Sequence, residues 1–195
     1  MSRDRRIKVL VLDFDGVITP RINVDWEQVR EEASRLAGFR ITSLLEFYRE
    51  FFDTSVFWRV SEFVKEHEIS AAKESDLTPC MDELLKRASG SGVKVFIASM
   101  QAREPILNFL HKHGLEEYVT SILSREEFPG KWEMIRHILL ETQVKPREIL
   151  YVDDLERNIR EGEKLGVKCL FADADKDTLV KRIAEIAGLN IECAH

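Results

Sequence analysis

The sequence predicts an α/β fold: a parallel sheet covered by helices on both faces, with a helical segment inserted after its first strand. Three observations point there. Short apolar runs rich in β-branched residues, closed by Asp, Ser or Gly, recur along the chain, as in strands buried on both faces. From Thr78 onward amphipathic stretches separate these runs, at the spacing of strand-helix-strand units. Between Pro20 and about Leu77, by contrast, helical periodicity occurs without a convincing strand.

Size and composition narrow the class. A chain of 195 residues forms one domain, or one domain with a small insertion. With 44% hydrophobic and 33% charged residues it has the composition of a soluble globular protein. A formal net charge of -6 argues against a nucleic-acid binder, and the basic stretch Arg3 to Arg6 reads as a solvated lead-in. No apolar run approaches the length of a membrane span and no signal peptide opens the chain, so a cytoplasmic protein is expected. Cys80, Cys169 and Cys193 are an odd, unclustered set, with no zinc spacing and no disulfide framework. Asn and Gln are scarce beside Glu, Lys and Arg, a bias seen in heat-stable proteins.

In chain order, Val9 to Leu12 is the first strand, running into Asp13-Phe14-Asp15-Gly16. Asp25 is placed to cap a helix carrying Val29, Ala33, Leu36 and Ala37. Thr42 or Ser43 starts a second helix, with Leu44, Phe47, Tyr48 and Phe51. Asp53 to Ser55 breaks it, and a third follows with Phe57, Val60, Phe63 and Val64. More than half of the aromatic residues fall in this segment, which predicts a helical core of its own; Arg21, Trp26, Trp58 and Arg59 are its candidates to face a ligand. Thr78-Pro79 reads as a helix cap with Pro at the first helical position, before Met81, Leu84, Leu85 and Ala88. Val93 to Ala98 is the second strand, closing at Ser99, and a helix follows around Glu104 to His113. Val119 to Leu123 is the third strand, and Lys131 opens a helix with Trp132, Ile135, Ile138 and Leu139. Glu148 to Val152 is the fourth strand, ending at Asp153-Asp154. A helix from Leu155 to Leu165, a fifth strand from Val167 to Phe171 and a closing helix from Asp177 to Ala187 complete the chain.

Polar residues of particular kinds sit at four strand ends or post-strand loops: Asp13 and Asp15, Ser99, Lys131, then Asp153 and Asp154. A parallel sheet gathers such positions on one rim, the carboxyl edge where open α/β sheets bind ligands. Each residue has an ordinary alternative, as a turn former, helix cap, surface lysine or helix-opening acid. Together, acid, hydroxyl, amine and acid form a site for a phosphate and a divalent cation. Carboxylates hold a hard ion such as Mg²⁺, while hydroxyl and ammonium groups bind phosphoryl oxygens.

This ordered set resembles the haloacid dehalogenase (HAD) superfamily of phosphohydrolases. Asp13 to Thr19, DFDGVIT, matches the first motif; Ser99 in FIAS the second; Lys131 in FPGKWE the third; and Tyr151 to Asp154, YVDD, the fourth. The resemblance spans essentially the whole chain, since the helical segment lies where relatives of the phosphoglycolate phosphatase and β-phosphoglucomutase type insert a small cap. It departs from the pattern at Met100-Gln101, where many relatives have Asn after the Ser. The implied fold is a Rossmann-like five-stranded sheet of order 3-2-1-4-5, with residues 1–19 and 78–195 as core and 20–77 as cap.

The resemblance also implies roles. Asp13 is the expected nucleophile, forming an aspartyl phosphate that water hydrolyses more easily than the ester. Asp15 is the expected acid and base. Mg²⁺ is expected on the Asp13 carboxylate, the Asp15 main-chain carbonyl and Asp154, with Asp153 acting through water or by orienting Lys131; the division between the two acids stays open. Ser99 and Lys131 are the expected phosphate ligands. The implied activity is Mg²⁺-dependent hydrolysis of a small phosphorylated metabolite by a monomer or homodimer. The alternatives are a phosphomutase of the β-phosphoglucomutase type and a catalytically silent binding protein. A response-regulator receiver domain fits less well, because its adjacent acidic pair follows the first strand rather than the fourth.

Overall fold

Strand β1, Val9–Leu12, is buried at every residue and lies at the centre of the sheet. It pairs in parallel with β2, Lys94–Ala98, on one side and β4, Ile149–Asp153, on the other. With β3, Ser121–Leu123, and β5, Lys168–Phe171, the order is β3-β2-β1-β4-β5, as the family resemblance implies. The structure, a computed structural model, describes residues 6 to 193 apart from Ala174. Arg3 to Arg5 of the expected basic lead-in lie outside those residues.

Side-chain alternation in β1 explains the two helical layers. Leu10 and Leu12 face one layer, packing with Leu84, Leu85, Ile106, Phe109 and Ile183. These come from α4, Met81–Gly90, α5, Arg103–Lys112, and α8, Lys176–Ala187. Val9 and Val11 face the other, with Met134, Ile135 and Ile138 of α6, Lys131–Thr142, and the Tyr151 ring. On that side also lies α7, Glu156–Lys164, beside β5. Register then sets the rim: Leu12 lies level with Ile97 and Val152, so Asp13 emerges beside the ends of β2 and β4.

Between β1 and α4 come α1, Trp26–Ala37, α2, Leu44–Glu50, and α3, Ser55–Glu74. Each starts at a side-chain cap: Asp25 accepts from the Gln28 amide, Ser43 from Glu46 and Thr54 from Phe57. Val29, Ala33, Phe47, Tyr48, Phe57, Val60 and Val64 form their shared apolar core, as the aromatic clustering predicts. Among the described residues no helix is long and apolar enough to cross a membrane.

Two expectations at the start of α4 need correction. Thr78-Pro79 forms a turn rather than a cap: the Met81 amide bonds the Thr78 carbonyl at 3.0 Å, and the helix begins after Cys80 at φ 64°. The Thr78 amide is held by the Ile18 carbonyl at 2.9 Å, anchoring the turn to the segment after β1, and its hydroxyl has no partner among the described residues. The expected absence of disulfides also fails, because Cys80 is bonded to Cys193 across 113 residues of sequence. Leu189 and Ile191 pack on the core and carry the chain end back to α4, a proximity that cysteine spacing cannot show.

A crosslink closing so long a loop restricts the unfolded chain and stabilises a fold by about 2–4 kcal/mol. Cys193→Ser is therefore expected to unfold at lower temperature than wild type without reductant and at the same temperature with it. Equal melting temperatures in both conditions contradict the pairing.

Candidate active site

Asp13 is the first residue beyond β1, its amide bonded to the Val152 carbonyl at 2.9 Å. Its Oδ1 accepts the Phe14 amide at 2.7 Å and the Lys131 ammonium at 2.8 Å. Lys131, the first residue of α6, also donates to Asp153 Oδ2 at 3.0 Å and to the Ala98 carbonyl at 2.5 Å. One buried amine thus ties together the ends of β1, β2 and β4.

Asp153 is saturated. Besides Lys131, its Oδ2 accepts the Tyr151 hydroxyl at 2.5 Å, and its Oδ1 accepts the Leu155 amide and Asn158 Nδ2, each at 2.9 Å. Burial alone would raise its pKa, but Lys131 and these donors outweigh it and hold the carboxyl below the ordinary range. The same two acids hold the Lys131 ammonium above its usual range against its burial. Asp13 is the weaker competitor for that charge: burial pushes it well above the carboxylate range despite Lys131, and Asp153 adds repulsion.

Asp154 accepts no hydrogen bond among the described residues, and burial with the repulsion of Asp153 and Asp15 pushes it up to about 6. Carboxylate oxygens of Asp13, Asp153 and Asp154 all lie within 4.8 Å of one another. An oxygen-only donor set with more negative charge than Lys131 can balance fits a hard divalent cation. Gly16 makes room for the Asp154 carboxylate. Its φ is +78°, and a Cβ there would stand 2.3 Å from Asp154 Oδ2. Its carbonyl accepts Lys176 Nζ at 2.5 Å, a contact with no signal in the sequence. The Asp15 side chain lies outside the acidic cluster; its Oδ1 accepts the Ile22 amide at 2.8 Å, and burial raises its pKa.

Ser99, just past β2, has its amide on the Leu123 carbonyl at 3.0 Å and accepts the Gln101 amide at its Oγ at 3.2 Å. That leaves the hydroxyl proton for another acceptor. Asp13, Asp15, Ser99, Lys131 and Asp154 all line one cavity of about 450 Å³. Trp26, Leu44, Leu45 and Tyr48 form its opposite wall, with Arg30 as the cation from the inserted helices. Of the four ligand-facing candidates in this segment, Trp26 alone reaches the cavity. Trp58 is 41% exposed and bonds Asp53, while Arg21 and Arg59 are exposed. Tyr48 and Arg30 were not foreseen, since periodicity defines an apolar face without saying which end of it meets the sheet. Tyr151 had a signal: it lies two residues before Asp153, on the same face of β4.

A five-stranded parallel sheet with an acid-hydroxyl-amine-acid site on its carboxyl edge defines a hydrolase of the Rossmann-like HAD fold. The haloacid dehalogenase-like hydrolase family matches residues 10–172, and the chain belongs to it. Similar solved structures include a subfamily IA HAD hydrolase from Geobacter sulfurreducens PCA (TM-score 0.57, 17% identity, 87% of this chain and 89% of that one). Another is CbbY from Rhodobacter sphaeroides in complex with phosphate (TM-score 0.59, 16% identity, 84% of each chain). A third is a predicted phosphoglycolate phosphatase from Haemophilus somnus 129PT (TM-score 0.55, 14% identity, 85% and 84%). At these identities the likeness is one of fold. No curated protein matches the chain.

The tight approach at Gly16 gives a direct test. Gly16→Ala combines an unfavourable positive φ with a clash against Asp154, and is expected to cost about 1–3 kcal/mol. A chemical-denaturation midpoint equal to wild type contradicts this geometry.

Proposed function

We propose that the protein is a Mg²⁺-dependent phosphatase that hydrolyses a small phosphate monoester through an aspartyl phosphate on Asp13. The observation that carries this reading is the Asp13 carboxylate, fixed by the Phe14 amide and Lys131 at the floor of the shared cavity. Fixing a nucleophile in line with its target replaces much of the entropic cost of the encounter.

In this reading Asp13 attacks phosphorus, and the alcohol departs with a proton from Asp15. Burial holds Asp15 above the ordinary carboxylate range, which suits a group that first delivers a proton and then takes one from water. Lys131 offsets the like charges of Asp13 and the phosphoryl oxygens, and Ser99 donates its free proton to one of them. Asp13, Asp154 and the Asp15 main-chain carbonyl would hold Mg²⁺, which when bound would supply charge neutralisation for the transferring group. Asp153, with four donors already on it, serves to hold Lys131 rather than a cation.

Residues 20–77 act as the cap, with α1 and α2 closing over the leaving group and excluding water. Apolar walls and a single cation from the inserted helices, Arg30, favour a phosphorylated metabolite whose alcohol has an apolar body over one bearing a second phosphate.

Asp13→Asn is nearly isosteric and removes a carboxylate that burial disfavours. It is expected to melt at or above the wild-type temperature while losing phosphate-ester hydrolysis; activity near wild type overturns the mechanism. Chelation is expected to abolish turnover, with Mg²⁺ restoring it far better than Ca²⁺, whose larger shell would accept both Asp13 oxygens and misalign the attacking one. Full activity in chelator, or equal rescue by both ions, contradicts the assignment of the acids.

A further inference from the structure

Arg125, in the turn after β3, is the largest side chain that the fold buries completely, yet it takes no part in the chemistry above. Its guanidinium reaches into the inserted helices. Nη1 bonds both carboxylate oxygens of Glu68, at 2.6 and 2.8 Å. Nε bonds the Ser61 hydroxyl at 2.8 Å and Nη2 the Ser61 carbonyl at 2.9 Å, while the Tyr48 ring lies 4.9 Å from Cζ. Ser61 and Glu68 are seven residues apart, two turns along one face of α3.

The pair also grips the segment that follows Ser99. Arg125 Nη1 donates to the Met100 carbonyl at 3.1 Å, and the Arg125 amide donates to the Gln101 carbonyl at 3.3 Å. Glu68 Oε2 accepts the Ala102 amide at 3.1 Å. Three successive residues are therefore tied, and the middle one donates its amide to Ser99 Oγ. A buried ion pair is a poor source of stability, since well-packed apolar residues often replace one without loss. What apolar residues cannot do is hold backbone carbonyls and an amide at fixed positions.

We propose that Glu68 and Arg125 are positioning residues for phosphate binding: they fix the Met100–Ala102 backbone, and through it the rotamer that aims the Ser99 hydroxyl at the phosphoryl group. Helix α3 then belongs to the fixed wall of the site. This rests on the phosphatase reading only in taking Ser99 as a phosphate ligand.

A double-mutant cycle on inorganic phosphate affinity tests it, measured by calorimetry with Mg²⁺ present. The four proteins are wild type, Ser99→Ala, the Glu68→Met/Arg125→Met double variant, and the three changes combined. Replacing both charges leaves no unpaired buried ion, so cooperative unfolding is expected to persist. Ser99→Ala is expected to weaken phosphate about tenfold in the wild-type background, and the double variant to weaken it comparably. Ser99→Ala is then expected to add less than about twofold in the double variant, because the two share one effect. A purely structural pair leaves the Ser99 effect the same size in both backgrounds, and that result overturns the proposal. Wild-type phosphate affinity in the folded double variant overturns it too. Glu68→Asp, which keeps the charge but shortens the reach to Ala102, carries the same cycle if the double variant does not fold. Failure of the wild-type protein to bind phosphate or hydrolyse any ester removes the phosphatase reading itself, a distinct outcome.

Discussion

A single buried ammonium group organises the rim of this sheet. Lys131 meets Asp13, Asp153 and the Ala98 carbonyl together, joining three parallel strands at the point where their backbones diverge. Isolated buried charges cost many kcal/mol, so each group depends on the others for its ionisation. The balance is unequal. Asp153 collects three further donors and keeps its charge, whereas Asp13 and Asp154 are left raised by burial and repulsion. The charge that Lys131 cannot offset is what makes an oxygen-liganded cation a natural complement of the site.

The inserted helices meet the core through two different kinds of contact. At Arg125 the contact is a buried, hydrogen-bonded ion pair, so separating α3 from the segment after Ser99 would leave each ion without its partner. At Trp26, Leu44 and Leu45 the helices instead border a cavity. An apolar wall over an acidic floor suits a ligand with a phosphate at one end and a less polar body at the other. The fold is shared with proteins of 14–17% identity and does not choose that body; in the proposed reading the chain's own cavity residues do.

Much of this arrangement was legible before any coordinates. All five strands could be read because β1 and β4 are apolar at nearly every position and end abruptly in acids, and the parallel rule then puts Asp13, Ser99 and Asp153 on one edge. A cap at Asp25, a start at Thr42 or Ser43 and a break at Asp53 to Ser55 bounded the inserted helices, and Ser43 and Thr54 prove to be the other two caps. What stayed hidden depends on contacts between distant segments. Arg125 looks like a surface residue in SREEF, and Glu68 like one of several acids on a charged helix; burial of both becomes visible only when α3 is laid against the turn after β3. The Cys80–Cys193 bond was hidden for the same reason. The donors that Tyr151 and Asn158 supply to Asp153 were hidden too, since no spacing rule supplies them.

The central claim is that Asp13 becomes covalently phosphorylated. The most direct measurement is peptide mass spectrometry of the Asp15→Asn variant, quenched in acid after brief incubation with Mg²⁺ and acetyl phosphate. With hydrolysis of the intermediate slowed, the account predicts one added phosphoryl group on the peptide containing Asp13, absent when Asp13 is also changed to Asn. Turnover by the wild-type protein with no phosphoryl group trapped on that peptide, or with the label on another residue, contradicts it.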